Sequence, residues 1–114
     1  MLEVGPNDTA ISLRSGDVPV LGTPRLVALC EEAALQAIAG LIPEGQTTVG
    51  MRVQLDHLAP TAVGHNIAAE ATLEKVEGRR LTFTVSANDD RGLVAAGKVT
   101  RVIVVVDAFL QKCT

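Results

Sequence analysis

The sequence predicts an α+β fold in which one long helix packs against a curved antiparallel β-sheet. A run of apolar residues with helical spacing begins at Thr23, segments that alternate apolar and polar residues fill most of the chain after it, and short turns separate those segments. Strands joined by short turns pair antiparallel, and a strand with a single apolar face needs a cover for that face. The one helix is the available cover, so two layers form around one core.

The predicted helix starts at Thr23, which we assign as the N-cap, with Pro24 at the first helical position. It runs to about Ala39 and ends there because Gly40 and Pro43 follow. In the mixed segment before the helix, "ISL" is a candidate for a short strand and "SGDVPVLG" for a loop.

Four segments after the helix are predicted strands. Their sequences are "TTVGMRVQLDHLAP", "NIAAEATLEKVE", "LTFTVSAN" and "LVAAGKVTRVIVVV", with turns at "EGRR" and "NDDRG". In the first segment, strict alternation places Val49, Met51, Val53, Leu55 and His57 on one face. A long helix wrapped by four such strands is the hotdog arrangement, and a two-layer α+β sandwich with another strand order is the alternative.

Length and composition bound the remaining possibilities. The 114 residues suit one domain, 1–114, whose core is built from Val, Leu, Ile and Ala, since Trp and Tyr are absent and Phe occurs twice. The net charge of −3 provides no basic footprint for nucleic acid, and no apolar segment is long enough to span a membrane. We find no signal peptide, and the two cysteines lack metal-ligand spacing, so we expect a cytoplasmic protein with reduced thiols. The mean hydropathy of +0.31 favours burial of further surface by self-association.

Two glutamates, Glu31 and Glu32, stand side by side in the otherwise apolar helix. The helical neighbours of Glu31, at positions 27, 28, 34 and 35, are all apolar, whereas Glu32 has Gln36 beside it. Glu31 is therefore the better candidate for a carboxylate pressed against the sheet, and a buried carboxylate needs a partner. A pair of solvated glutamates is the alternative, and the periodicity alone does not separate the two.

His57 ends the apolar face of the first strand, where a histidine has either a structural role or a catalytic one. A carboxylate and an imidazole that meet in the helix–sheet interface would form an acid–base pair with mutually tuned pKa values. Thr23 adds a hydroxyl at the helix N-terminus, where backbone N–H groups stabilise developing negative charge. Taken together, Thr23, Glu31 and His57 favour a catalytic site over three separate structural roles.

Other features of the sequence have simpler interpretations. The segment "GLVAAGKVT" has Val99 where a phosphate-binding loop needs Ser or Thr, and Asp89 and Asp90 are turn residues rather than metal ligands. Cys30 is assigned to the core, and we expect neither a metal nor a cofactor. Arg101 shares a strand face with Val99 and Ile103 on the last strand, and its side chain either reaches the rim of the sheet or contacts a substrate.

Over residues 22–106 the chain resembles the fluoroacetyl-CoA thioesterase family, a branch of the hotdog thioesterases. The resemblance lies in the spacing of Thr23 and Glu31, in "VGMRVQLDHLAPTAVG" around His57 and in "VEGRRLTFTVSANDD". It implies a hotdog homodimer, or a dimer of dimers, with acyl-CoA bound at the subunit interface. It also implies that Thr23, Glu31 and His57 are catalytic and that Gly50 and Arg101 shape the substrate pocket.

The resemblance predicts an acyl-CoA thioesterase that releases a carboxylic acid and free CoA, with Glu31 as general base or as nucleophile. The family's aromatic lid residues before the helix have no counterpart in "RSGDVPVLG", so selectivity for fluoroacetyl-CoA is not expected. Two other functions remain open, namely a hotdog hydratase or dehydratase acting on acyl thioesters and a non-catalytic acyl-CoA-binding module.

Overall fold

The structure, a computed structural model, describes all residues from 1 to 114. A 3₁₀ turn at Pro6–Asp8 precedes the long helix. The elements in chain order are β1 (Leu2–Glu3), α1 (Thr23–Ala37), β2 (Gln46–His57), β3 (Asn66–Glu77), β4 (Arg80–Asp89), β5 (Gly92–Val105) and α2 (Val106–Gln111).

The five strands form one antiparallel sheet in the order β1-β3-β4-β5-β2. The helix α1 packs on one face of this sheet, which confirms the predicted α+β fold with a helix against an antiparallel sheet. Strand β2 lies at the edge, so the backbone groups on its outer side have no strand partner within the chain.

The core lies between α1 and the inner face of the sheet. The helix contributes a buried stripe at the spacing that an amphipathic helix requires, consisting of Leu26, Leu29, Cys30, Ala33 and Ala34. Strand β4 contributes the alternate residues that the sequence pattern predicted, namely Leu81, Phe83, Val85 and Ala87. Phe83 is the largest fully buried side chain, so aliphatic residues fill most of the core, as the composition indicates.

The strict alternation predicted for β2 is wrong, because Met51 has no partner in the pairing with β5. The register shifts between Gly50 and Arg52, which makes Met51 the extra residue of a β-bulge. The bulge reverses the side-chain pattern before it, so that Thr48 rather than Val49 is buried and Met51 is 48 % exposed. In the first half of β2, therefore, the side chains that face the helix are the ones that the alternation assigns to the outer face.

Four local predictions also need correction. Thr23 is the first residue of α1 rather than its N-cap; the cap position is Gly22, and no side chain caps the helix. The helix ends at Ala37, two residues earlier than predicted, and the segment "ISL" forms turns instead of a strand. The apolar run at the end of β5 leads into the short helix α2, which the strand pattern did not indicate.

None of the helices has the length and apolar character needed to cross a membrane.

Candidate active site

Glu31 and Glu32, adjacent in α1, have different surroundings. The Glu31 side chain is 32 % exposed, and its Oε2 accepts a hydrogen bond of 2.9 Å from Nη1 of Arg101. The Glu32 side chain is 53 % exposed and forms a surface ion pair of 3.1 Å with Arg25. Glu31 therefore lies between helix and sheet with a partner, while Glu32 is the solvated member of the pair.

Arg101 is held by two further hydrogen bonds on the inner face of the sheet. Its Nε donates to Thr48 Oγ1 at 2.9 Å, and its Nη2 donates to the Thr48 carbonyl oxygen at 2.9 Å. The two bonds to Thr48 fix the orientation of the guanidinium. Because of this, the third bond, from Nη1 to Glu31, also fixes the carboxylate. The strand pattern allowed the Arg101 side chain either to reach the rim of the sheet or to contact a substrate. Because Arg101 is buried, the rim is excluded.

Thr48 is the residue of this cluster that sequence reasoning missed. Counting alternate residues back from His57 places Thr48 on the outer face, and the bulge at Met51 moves it to the inner face. The only sequence signal at this point is Gly50, since a glycine inside a strand often marks a bulge or a close approach.

Gly50 leaves the space that Glu31 occupies. It lies directly opposite Arg101 in the β2–β5 pairing, and a Cβ atom added to it would be 2.6 Å from Glu31 Oε2 and 3.7 Å from Arg101 Nη1. A contact of 2.6 Å is too short for a carbon and an oxygen that are not bonded, so any side chain at position 50 displaces the carboxylate. Gly50 and Arg101, both predicted near the site, therefore act on Glu31 in different ways: Arg101 binds the carboxylate, and Gly50 leaves space for it.

His57 and Thr23 form the second part of the site, at the N-terminal end of α1. Thr23 Oγ1 and His57 Nδ1 are 2.8 Å apart, and the other ring nitrogen, Nε2, is buried without a hydrogen-bond partner. His57 also lines a cavity of about 240 Å³ together with Val20, Leu58, Ala59 and Pro60. A buried imidazole nitrogen without a partner beside a cavity is a group available to a ligand.

The two parts do not join within one chain. Glu31 bonds Arg101, and His57 bonds Thr23, so the direct pair of Glu31 with His57 expected from the sequence is not formed. Thr23 and Glu31 lie eight residues apart on α1, which corresponds to about 12 Å along a straight helix. Within one chain, therefore, Glu31 with its partner Arg101 lies at one position along α1, and Thr23 with its partner His57 lies at another.

Cys30 is next to Glu31 in sequence but belongs to the core. It is fully buried, and this burial, together with the negative charge of Glu31, raises the pKa of its thiol to about 11. A thiol with such a pKa remains protonated at neutral pH and is a poor nucleophile.

The acidic turn between β4 and β5 is organised by hydrogen bonds. Desolvation raises the pKa of Asp89, but hydrogen bonds from the Thr61 hydroxyl and the Arg91 N–H, both 2.8 Å long, outweigh it and lower the pKa overall. Asp90 lies 3.4 Å from His65 at the surface. Asp90 lies in the turn as predicted, whereas Asp89 is the last residue of β4, so its assignment to the turn is wrong by one position.

Comparisons with known proteins agree on one family. A model described as "Fluoroacetyl-CoA-specific thioesterase" matches residues 4–107. The fluoroacetyl-CoA thioesterase of Streptantibioticus cattleyicolor is 32 % identical over 93 residues, which are 82 % of this chain and 67 % of that protein.

Solved structures agree with this result. A mutant of the fluoroacetyl-CoA-specific thioesterase FlK, in complex with fluoroacetate and CoA, matches with a TM-score of 0.89 and 29 % identity, covering 95 % of this chain and 91 % of that one. A hot-dog-like protein from Thermanaerovibrio acidaminovorans matches with a TM-score of 0.89 and 28 % identity, covering 98 % and 83 %. The hotdog arrangement predicted from the sequence is thereby confirmed.

Proposed function

Since this chain belongs to the family of fluoroacetyl-CoA-specific thioesterases, we propose that it is a thioester hydrolase that cleaves a small or medium acyl-CoA into the carboxylic acid and free CoA. One observation carries the proposal: the Glu31 carboxylate is fixed by a buried arginine above a glycine that leaves room for it. Its Oε2 is bound to Arg101, whereas Oε1 accepts no hydrogen bond from the chain. A fixed carboxylate with one free oxygen is a suitable base or nucleophile for a thioester carbonyl.

Two chemical routes are open to Glu31. As a general base, it takes a proton from water, the water oxygen attacks the thioester carbonyl carbon, and the C–S bond breaks with its electron pair leaving on sulfur. As a nucleophile, a carboxylate oxygen attacks the same carbon and expels the thiolate, and water then cleaves the mixed anhydride. In both routes the departing sulfur takes up a proton and leaves as the thiol of CoA.

Thr23 and His57 would act on the thioester rather than on Glu31. The Thr23 hydroxyl lies in the first turn of α1, where the helix dipole favours developing negative charge, so it is suited to position the thioester carbonyl or the attacking water. The hydrogen bond to Thr23 orients the His57 ring and leaves Nε2 without a partner in the chain. We assign His57 to the orientation and tuning of the site and Thr23 to positioning.

We further propose that the enzyme is a cytoplasmic homodimer, or a dimer of dimers, with a site shared between subunits. Three features support the dimer: the unpaired edge of β2, the apolar Leu35 that is 42 % exposed on α1, and the separation of Glu31 from Thr23 and His57. A second chain beside the first would bring the missing part of the site from its own helix or strand. The two free cysteines, Cys30 and Cys113, fit a reducing compartment.

A thiol-release assay across short, branched, aromatic and long acyl-CoAs tests the proposed function. Glu31→Gln keeps the size of the side chain and removes the carboxylate, and Glu32→Gln is the matched control on the adjacent residue. We expect turnover to fall by about 10²–10⁴-fold for the first variant and to persist in the second. Equal effects of the two changes would reject the assignment of Glu31.

The same assay separates the alternatives. A hydratase would add water to a 2-enoyl thioester without releasing thiol, and a binding module would bind acyl-CoA without turnover. Because the segment before α1 has no aromatic residue, we expect no preference for fluoroacetyl-CoA over acetyl-CoA.

A further inference from the structure

A groove with a basic lining lies on the outer face of the sheet, the face turned away from α1. It has a volume of about 230 Å³, and strands β2, β3, β4 and β5 all contribute to it. We call it the outer basic groove; its lining residues are Met51, Arg52, Gln54, Glu77, Arg80, Thr82, Lys98 and Thr100.

The strand register places three cations around two hydroxyl groups. Thr100 lies directly between Arg52 on β2 and Thr82 on β4. Lys98 is two residues from Thr100 on β5, and Arg80 is two residues from Thr82 on β4, so all five side chains share one face. Directly opposed residues are about 5 Å apart and same-face neighbours along a strand about 7 Å apart, which is within reach of long basic side chains.

None of these three cations forms an ion pair within the chain. The one acidic residue of the lining, Glu77, lies opposite Arg80 in the β3–β4 register, and its carboxylate pairs with Lys75 at 3.5 Å. The chain has 13 acidic and 10 basic residues, so unpaired cations gathered on one face run against its overall charge. Their mutual repulsion is unfavourable unless an anion binds between them.

We propose that the outer basic groove binds the phosphate groups of a nucleotide. Arginine forks, a lysine ammonium and threonine hydroxyls are the donors that phosphate oxygens accept from, and here they come from three adjacent strands. The nucleotide is either the end of the acyl-CoA substrate or a free nucleotide. The first source depends on the proposed function, and the second does not.

Calorimetric titration of the 114-residue chain with ADP and with pyrophosphate at low ionic strength tests this proposal without substrate. We expect saturable binding that weakens with added salt. Arg52→Gln and Lys98→Gln should each weaken binding by about two- to fivefold, and the effects should multiply in the double variant. Arg14→Gln, which removes an exposed arginine outside the groove, is the matched control and should leave binding unchanged.

The proposal is overturned if neither probe binds saturably, or if the groove variants bind both probes as well as the Arg14→Gln control does. Steady-state kinetics then separates the two sources. A rise in KM for acyl-CoA, with unchanged KM for the N-acetylcysteamine thioester that lacks the nucleotide, assigns the groove to the substrate. Weaker ADP binding with unchanged KM for both substrates assigns it to a free nucleotide. If no thioester is hydrolysed, the proposed function fails. The titration still shows whether the outer basic groove binds phosphate groups.

Discussion

Arg101 Nη1 lies 2.9 Å from Glu31 Oε2, and this ion pair joins the last long strand to the helix across 70 positions of the chain. The arginine is itself fixed by Thr48, so the position of the carboxylate depends on the sheet register as well as on the helix. The proposed reactive group therefore belongs to a network that only the packed structure assembles.

The support from Thr48 can be removed without removing the ion pair itself. Thr48→Val keeps the shape of the side chain and deletes the oxygen that accepts from Arg101 Nε. Because a buried donor is then left without a partner, we expect a loss of about 1–3 kcal/mol in the free energy of unfolding, together with lower kcat. Thr47→Val, on the neighbouring exposed residue, should change neither. Denaturant unfolding and thiol-release kinetics of both variants measure this, and equal stability of the two would show that the hydroxyl does not support Arg101.

Alanine substitution at two glycines of the sheet should affect different properties, namely turnover at Gly50 and thermal stability at Gly97. At Gly50 the new Cβ meets the movable carboxylate of Glu31 at 2.6 Å, so Gly50→Ala should fold and lose most of its turnover. At Gly97 the new Cβ would collide with the backbone oxygen of Gln54 on the adjacent strand, so Gly97→Ala should lose thermal stability. Circular dichroism melts and activity per folded molecule distinguish the two. A Gly50→Ala protein with normal kcat would mean that Glu31 does not need its present position.

The hydrogen bond between Thr23 and His57 predicts a graded series at position 23. Thr23→Ser retains the hydroxyl and should retain most of the activity, whereas Thr23→Val retains the shape and should lose it. His57→Ala should lower kcat by about 10²-fold or more without unfolding the protein, because its ring is only half-buried. If His57→Ala instead melts early and keeps normal specific activity in its folded fraction, the histidine is structural.

Subunit mixing tests whether the two parts of the site come from different chains. Thr23→Ala and Glu31→Ala homodimers should each be inactive. A mixed dimer combines the intact Thr23 of one chain with the intact Glu31 of the other, so it should regain about half the activity of the unmodified dimer if sites are shared. Native mass spectrometry verifies the exchange. Absence of recovery after verified exchange, or an active monomer, would mean that each chain builds its own site.

Cys30 should make stability depend on pH in the alkaline range. Burial and the charge of Glu31 raise the pKa of its thiol from 9.0 to about 11. Between these values the unfolded chain loses the proton and the folded chain keeps it, so the free energy of unfolding should fall by about 2–3 kcal/mol as pH rises from about 9 to about 11. Cys30→Ala should flatten this fall, and Cys113→Ala, at an exposed cysteine, should not. Identical pH profiles for the two variants would contradict the raised pKa.

The sequence by itself determined the long helix and the four long strands, and it indicated one distinction between neighbouring residues. The helix from Thr23 and the alternation of β4 follow from residue spacing, since side-chain direction along a regular element is a local property. For the same reason, the apolar positions around Glu31 make it a better candidate than Glu32 for the helix–sheet interface, although periodicity does not decide whether it is buried. Gly50 and Arg101 were placed near the site by the family resemblance and not by their own patterns.

Tertiary structure alone decided how those residues meet. The bulge at Met51 depends on the pairing of β2 with β5, so no pattern within β2 could show that Thr48 turns inward. The same pairing sets Gly50 opposite Arg101, and packing of α1 on the sheet brings Glu31 between them. Register and long-range ion pairs are set by contacts between segments distant in sequence, whereas periodicity records only the local direction of each side chain.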